Sequence, residues 1–224
     1  MLMVICRASG CAVKKIPLIY EKSFLDYISN VDSACYESDL KYFRWNTVLD
    51  FQGKDETLLH TIADRKEHQP EAISYYKDAS KTETTDSCSN FGSLQAINVV
   101  KRNQSGVILE LELEFQNGAV SVQSEYNMRA ILGCGITNIN LLDGSSVEMS
   151  ILPSAYISIQ AKGDGTYAVL GGGYGHGIGM SQNGAQKLCG QGFDYKRILN
   201  YFYQDTELTE LYQPQNVTKE EGGA

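Results

Sequence analysis

The residues that most constrain this chain are 171–185, which read GGGYGHGIGMSQNGA. Six of the first nine are glycine, and His176 stands between two of them. Glycine adopts backbone conformations that other residues avoid and lets a ligand approach the main chain, at a cost in conformational entropy. The flanking residues predict a strand over 166–170 and a helix from residue 182. The block therefore predicts a backbone-lined loop leading to a helix N-terminus, where unpaired N–H groups can hold a polar ligand.

Nucleotide-binding motifs do not fit this loop. A dinucleotide fingerprint needs glycines at relative positions one, three and six. Counted from Gly171, Gly173 or Gly175, the sixth place is His, Ile or Met. A phosphate-binding P-loop needs Gly-Lys-Ser/Thr, and the next lysine, Lys187, falls inside the predicted helix. The net charge of −8 also argues against a nucleic-acid partner, since phosphate binding relies on a basic surface.

The block resembles the signature of the stage II sporulation protein D family, which includes the amidase-enhancer proteins. Its members carry Gly-aromatic-Gly-His-Gly-x-Gly-Met-Ser-Gln-x-Gly-Ala near the C-terminus, and residues 173–185 match that pattern. Residues 129–133 (RAILG) and 152–155 (LPSA) resemble two upstream segments of the family, and residues 195–208 resemble its last helix and strand. The resemblance covers residues 94–208 and is weak before them.

The resemblance implies a protein of the cell wall or another extracytoplasmic site that binds peptidoglycan glycan strands and cleaves them by lytic transglycosylation. In that reaction a single acid protonates the glycosidic oxygen while the muramyl C6 hydroxyl closes onto C1. The family carries this acid as a Glu on an N-terminal helix, and no matching helix is found here. Residues 21–25 (EKSFL) are not followed by the family's Ala-rich, Arg-containing helix, so we expect no 1,6-anhydro products from this chain. If such products were detected, Glu21 and Glu37 would be the first residues to mutate. We expect the C-terminal part of a longer protein.

Two hypotheses about activity therefore stay open. The chain is the C-terminal portion of a lytic transglycosylase without its usual catalytic Glu helix, or it is a non-catalytic cell-wall binding module that enhances an amidase or another hydrolase. A cell-wall hydrolase is accordingly a candidate partner. The sequence assigns no catalytic residue to this chain.

The predicted binding site is the floor of an open groove with His176 facing it. Hydroxyl and acetamide groups of a glycan need neutral donors and acceptors, which His176, Ser181, Gln182 and the loop N–H groups provide. Alternatively, His176 braces the loop by hydrogen bonding to backbone. A nucleophilic pair of His176 with Ser181 or Cys189 is disfavoured because no orienting third group is evident. The predicted binding residues are Gly173, Tyr174, Gly175, His176, Gly177, Met180, Ser181, Gln182 and Arg129.

Other reactive residues have simpler interpretations. Cys6 and Cys11 could bind zinc with His60 or His68, but the histidines do not align with the family's ligands, so we expect no cofactor. Six cysteines fit either buried thiols or disulfides. The acids Glu110, Glu112 and Glu114 are expected on the solvent face of a strand rather than as paired acids. The opposite, buried face is expected to carry Val107, Leu109, Leu111, Leu113 and Phe115. Glu125 is expected to favour a helix start. The aromatic-rich N-terminal third fits core packing or sugar stacking, through Tyr20, Tyr27, Tyr36, Tyr42, Trp45, Tyr75 and Tyr76.

Pattern and turn signals predict an α+β fold built on antiparallel hairpins with C-terminal helices and an N-terminal mixed region. Predicted strands are 1–5, 94–102, 107–116, 119–124, 155–161 and 166–170, with Asn117-Gly118 as a hairpin turn. Predicted helices are 55–67, 126–132, 182–189 and 194–203. Asp55 and Asp194 are expected to cap the first and last of them, and Gly133 is expected to close the second with a left-handed backbone.

The chain of 224 residues divides into three expected portions. Residues 1–90 form a mixed, divergent or truncated subregion, residues 91–212 a core that carries the glycine loop, and residues 213–224 a frayed tail. No apolar run approaches the ~20 residues of a membrane-spanning helix. Residues 1–5 are apolar but too short for the core of a signal peptide, so none is predicted.

Overall fold

The computed structural model describes residues 21–31, 37–103, 105–177, 179–203 and 207–208. Its helices are α1 (Glu21–Ser29), α2 (Asp55–His68), α3 (Glu125–Gly133), α4 (Gln182–Gly190) and α5 (Tyr195–Phe202), with a short 3-10 helix at Pro70–Ala72. Its strands are β1 (Trp45–Asp50), β2 (Ile73–Tyr76), β3 (Leu94–Arg102), β4 (Ile108–Phe115), β5 (Gly118–Val122), β6 (Ile139–Leu141), β7 (Ser146–Val147), β8 (Ile157–Ala161) and β9 (Thr166–Gly171). The predicted α+β class, with antiparallel hairpins and C-terminal helices, is confirmed.

The first sheet has five strands in the order β7-β6-β1-β9-β8, and all its neighbours are antiparallel. The predicted hairpin of β8 and β9 forms one side of it. The central strand β1 was not predicted, although Trp45, Thr47 and Leu49 alternate as buried residues along it. The N-terminal part of the chain thus provides the strand against which the strand before the glycine loop pairs.

The second sheet has four strands in the order β2-β5-β4-β3. The predicted meander of β3, β4 and β5 is confirmed, and the turn at Asn117-Gly118 joins the last two. β2 adds an outer strand that the sequence did not predict. The boundary expected near residue 90 lies in the loop between β2 and β3, and strands from both sides of it share each sheet.

The two sheets and the helices α2 and α3 enclose one apolar core. α2 confirms its predicted apolar face, since Leu58 and Ile62 are fully buried. Burial of large aliphatic and aromatic side chains is the main favourable term in such a fold. A second cluster packs α1 against β8 and β9, through Phe24, Ile28, Val107 and Tyr156.

The acidic face of β4 differs from its prediction. Glu112 is buried, and its carboxylate lies 2.6 Å from Lys81 Nζ, which is also 3.4 Å from the carboxylate of Glu110. Leu109, expected in the core, is exposed instead. The register between β3 and β4 shifts at residues 99–102, which indicates β-bulges there. A register shift of one residue moves the following side chains of a strand to the opposite face of the sheet. These acids belong to an ion-pair cluster with lysine.

Two of the predicted helix ends are corrected and one is confirmed. Asp55 is the first helical residue rather than a cap, and its carboxylate accepts a hydrogen bond from Leu94 N at 3.2 Å. Gly133 is helical rather than left-handed, and a methyl group there would overlap the carbonyl of Ser150. Asp194 caps α5 as predicted, accepting from Arg197 N at 2.8 Å.

No helix within the described ranges is long and apolar enough to cross a membrane. Four predictions concern residues outside those ranges. They are the strand over 1–5, the zinc ligands Cys6 and Cys11, the aromatic residues Tyr20 and Tyr36, and the tail at 213–224.

Candidate functional site

The glycine loop starts against the indole ring of Trp45. β9 ends at Gly171, which is the register partner of Trp45 on β1. A methyl group at Gly171 would overlap the indole, so only glycine allows this approach. Trp45 Nε1 donates to Gly173 O at 3.1 Å, and Gly173 N donates to Tyr42 O at 2.7 Å. The start of the loop is therefore fixed by the segment that leads into β1.

The opposite side of the loop is held by the segment Leu152-Pro-Ser-Ala155. Gly175 N donates to Pro153 O at 2.8 Å, which makes a single parallel bridge between Ser154 and Gly175. The buried hydroxyl of Ser154 donates to Gly172 O at 2.7 Å. The two sequence segments that resemble the same family thus lie side by side.

Every second residue along the loop has a left-handed backbone. The φ angles are 74° at Gly173, 118° at Gly175, 72° at Gly177 and 94° at Gly179. L-residues with side chains are strained in this region, β-branched ones most of all. The spacing of the glycines is therefore a requirement of the backbone path, which turns at each of them.

Three predicted binding residues present side chains near or at the surface. His176 and Gln182 are exposed, and Tyr174 is half-buried. The Tyr174 ring lies 4.8 Å from the ring of Tyr42, centroid to centroid, with the planes tilted by 39°. Tyr42 was not among the predicted site residues, because it lies 132 positions away from Tyr174 in the sequence. The exposure of His176 agrees with its expected orientation, and the groove stays a prediction.

The loop ends at a buried serine that caps α4. Ser181 is fully buried, and its hydroxyl oxygen accepts a hydrogen bond from Gly184 N at 3.0 Å. The same hydroxyl donates to the carboxylate of Glu37. The hydroxyl of Ser181 is thus enclosed and directed at Glu37, and its contact with a ligand stays a prediction. A nucleophilic pair with His176 loses its support for the same reason.

Glu37 is a buried carboxyl group at the N-terminus of α4, with an exposed fraction of 7%. Burial raises its pKa, whereas hydrogen bonds from the Ser181 hydroxyl and the Gly184 amide, and the charge of Lys187, act in the opposite direction. Two residues further on, Asp39 pairs with Lys187 at the surface. The sequence showed Glu37 only as a residue to mutate, since its partner Ser181 is 144 positions away.

The remaining predicted residues support the loop. Met180 N donates to the hydroxyl of Tyr203, just after α5, at 3.1 Å. Arg129 is buried on α3, and its Nε donates to Leu152 O at 2.8 Å. Its guanidinium also lies 3.2 Å from the carboxylate of Glu125, which stands in the first turn of α3 as predicted. Arg129 thus anchors the segment 152–155, which lies beside the loop, to α3.

Metal ligands do not cluster in the part of the chain that the structure describes: no group of three His, Cys, Asp or Glu side chains there could hold an ion. Cys88, Cys134 and Cys189 are free thiols. His60 lines a separate pocket together with Cys88, and His68 Nδ1 lies 2.8 Å from Asp64 O.

Comparison with known families and proteins gives three matches. A family model described as "Domain of unknown function (DUF8618)" matches residues 65–179, just over half of the chain. The amidase enhancer of Bacillus subtilis (strain 168) is 34% identical over 89 residues, which is 40% of this chain and 12% of that protein. Stage II sporulation protein D of the same organism is 36% identical over 76 residues, which is 34% of this chain and 22% of that protein.

The matched part of the chain thus spans less than a quarter of either relative. The predicted resemblance to this pair of proteins is confirmed. The chain belongs to the family described as "Domain of unknown function (DUF8618)", and part of it is similar in sequence to the amidase enhancer and to stage II sporulation protein D.

Proposed function

We propose that this chain acts in the bacterial cell wall by binding peptidoglycan glycan strands at the glycine loop. The observation that carries the proposal is the loop itself. Glycines occupy every second position of the loop, so no side chain covers the main chain at those positions. His176 lies between two of them and is exposed. The similarity to an amidase enhancer and to stage II sporulation protein D supports a cell-wall function.

The exposed groups suit a sugar ligand. The tilted pair of Tyr42 and Tyr174 offers ring faces of the kind that pack against the apolar face of a pyranose. His176 and Gln182 offer donors and acceptors for hydroxyl and acetamide groups. In this proposal Ser181 and Arg129 shape the loop, and the ligand touches the exposed residues.

The proposal assigns binding to this chain and leaves bond cleavage to a carboxyl group beyond the described residues or to a partner hydrolase. A general acid must reach the glycosidic oxygen within hydrogen-bonding distance. Glu37 is poorly placed for that task, because it is 7% exposed and already accepts a hydrogen bond from the hydroxyl of Ser181. Glu37 is therefore not proposed as the acid, and a role in positioning another enzyme on the wall stands as the second candidate function.

Binding to purified glycan strands stripped of stem peptides tests the proposal. We expect measurable binding by co-sedimentation or calorimetry, with little change between low and high salt, because a neutral hydrogen-bonding site has no ion pairs to screen. Cellulose of the same particle size serves as the control polysaccharide. Absence of binding to the glycan, or equal binding to cellulose, would contradict the proposal.

A further inference from the structure

Glu37 is a buried acid that the proposed ligand contact does not use. Three groups act on its carboxylate from α4: the hydroxyl of Ser181, the amide of Gly184 and the more distant charge of Lys187. From its own segment, Asp39 faces it with a like charge. A negative group at a helix N-terminus is favoured by the unpaired amides there. Glu37 therefore attaches the segment before β1 to the first turn of α4.

The hydrogen bond between Glu37 and Ser181 fixes the end of the glycine loop. Ser181 follows Gly179 and Met180, the last residues of the glycine loop, and precedes the exposed Gln182. The start of the loop is fixed by Trp45, and its end is fixed through Ser181. A loop with glycine at every second position has high conformational freedom, so both ends must be held for it to keep one shape.

We propose that Glu37 is a positioning residue for the glycine loop: its carboxyl group holds Ser181 and the start of α4, and ligand binding at the loop depends on that contact. This inference rests on the proposed function only where glycan binding is the measured quantity. Glu37 acts as a hydrogen-bond acceptor in this role. A variant that keeps an acceptor oxygen at the same place should therefore keep the function.

Three variants of the full chain test separately the hydrogen-bond acceptor, the negative charge and the side-chain length of Glu37. Glu37→Ala removes the acceptor and should weaken binding to stripped glycan strands by about tenfold, the order produced by loss of one hydrogen bond. Glu37→Gln keeps an acceptor oxygen and should bind within about twofold of the parent. Glu37→Asp keeps the charge but withdraws the carboxylate by one methylene, and should bind several-fold more weakly. Asp39→Asn, which breaks the neighbouring surface pair with Lys187, should leave binding unchanged.

Hydrogen exchange without ligand gives a second readout that does not depend on glycan binding. Glu37→Ala should speed amide exchange in residues 179–184 and leave β9 unchanged, whereas Glu37→Gln should restore protection. Unchanged exchange at 179–184 in Glu37→Ala or Glu37→Asp overturns the inference, as does parent-like binding by either variant. If the parent itself does not bind glycan but the exchange pattern follows Glu37, the proposed function fails and the positioning role stands. Should Glu37→Ala not fold, Glu37→Asp and Glu37→Gln decide the question.

Discussion

Trp45 and Gly171 lie opposite each other on neighbouring antiparallel strands, and the indole ring packs directly on the main chain of the glycine. The same indole donates its N–H to Gly173 O, two residues into the glycine loop. One side chain of the central strand therefore fixes both the end of β9 and the first turn of the loop. Gly171 does not have a left-handed backbone. Glycine is required at this position because a side chain would overlap the indole ring.

Gly171→Ala tests this contact through stability. The added methyl group would overlap the indole, so either the ring or the strand must shift, and we expect a loss of about 1–3 kcal/mol in the free energy of unfolding. Urea denaturation measures the loss. Gly190→Ala is the matched control, because a methyl group there meets no neighbouring atom, and it should stay within about 0.5 kcal/mol of the parent. Equal stability of the two variants would contradict the packing argument.

Gly175→Val tests whether the backbone path of the loop matters for the ligand. Gly175 has a φ of 118°, so valine there should cost about 1–3 kcal/mol of stability. It should also reduce glycan binding about tenfold or more, because the branched side chain both distorts the loop and stands beside the ligand. Gly144→Val is the control: it lies at φ 82° with open space around it, in the turn between β6 and β7. Binding that falls equally in both variants would show a general loss of folding.

The structure shows which parts of this fold local sequence determines. β3 has its predicted bounds, and the cap at Asp194 is as predicted, because alternation and capping depend on neighbouring residues. β1 was missed because a six-residue strand is defined by partners more than 90 positions away. The pairs Glu37–Ser181 and Tyr42–Tyr174 escaped prediction for the same reason. Leu109 was misplaced because it lies at a register shift, where Arg102 faces Ile108 and Lys101 faces Glu110, and the alternation of β4 does not reveal that shift.

His176→Ala tests the side chain assigned to the ligand. Because His176 is exposed, its removal should leave the melting temperature nearly unchanged. Glycan binding should fall about tenfold, as expected for one lost hydrogen bond of roughly 1 kcal/mol or slightly more. His68→Ala, at the exposed end of α2, controls for a general effect of removing a histidine. A large drop in melting temperature for His176→Ala without a change in affinity would assign the ring to bracing the loop.

Incubation with purified peptidoglycan tests whether binding is accompanied by cleavage. We expect no release of 1,6-anhydromuramyl products, since Glu37 is enclosed and already accepts a hydrogen bond from the hydroxyl of Ser181. Mass spectrometry of the soluble fraction detects such products directly. A lytic transglycosylase incubated in parallel is the positive control. Products formed by the parent and lost in Glu37→Gln would make Glu37 the general acid of the reaction rather than a positioning residue.

The pH dependence of stability tests the buried charge of Glu37. Burial raises its pKa above the ordinary 4.5, so in the pH range between the two values the folded state binds more protons than the unfolded state. The free energy of unfolding therefore falls as pH rises through that range. Glu37→Gln has no such group, so its stability relative to the parent should increase from pH below 4.5 towards neutral pH. Urea unfolding of both proteins across this range measures the difference.

Asp39 provides a control of opposite sign for the same experiment. The hydrogen bond from Lys187 lowers the pKa of Asp39, so its ionised form stabilises the fold above its ordinary pKa and that contribution disappears as the pH falls through the folded-state pKa. Asp39→Asn should therefore lose stability relative to the parent at neutral pH and approach it in acid, although the effect is small for so exposed a pair. For each variant, the difference in free energy of unfolding from the parent is plotted against pH. If these plots had slopes of the same sign for Asp39→Asn and Glu37→Gln, burial would not determine the proton affinity of Glu37.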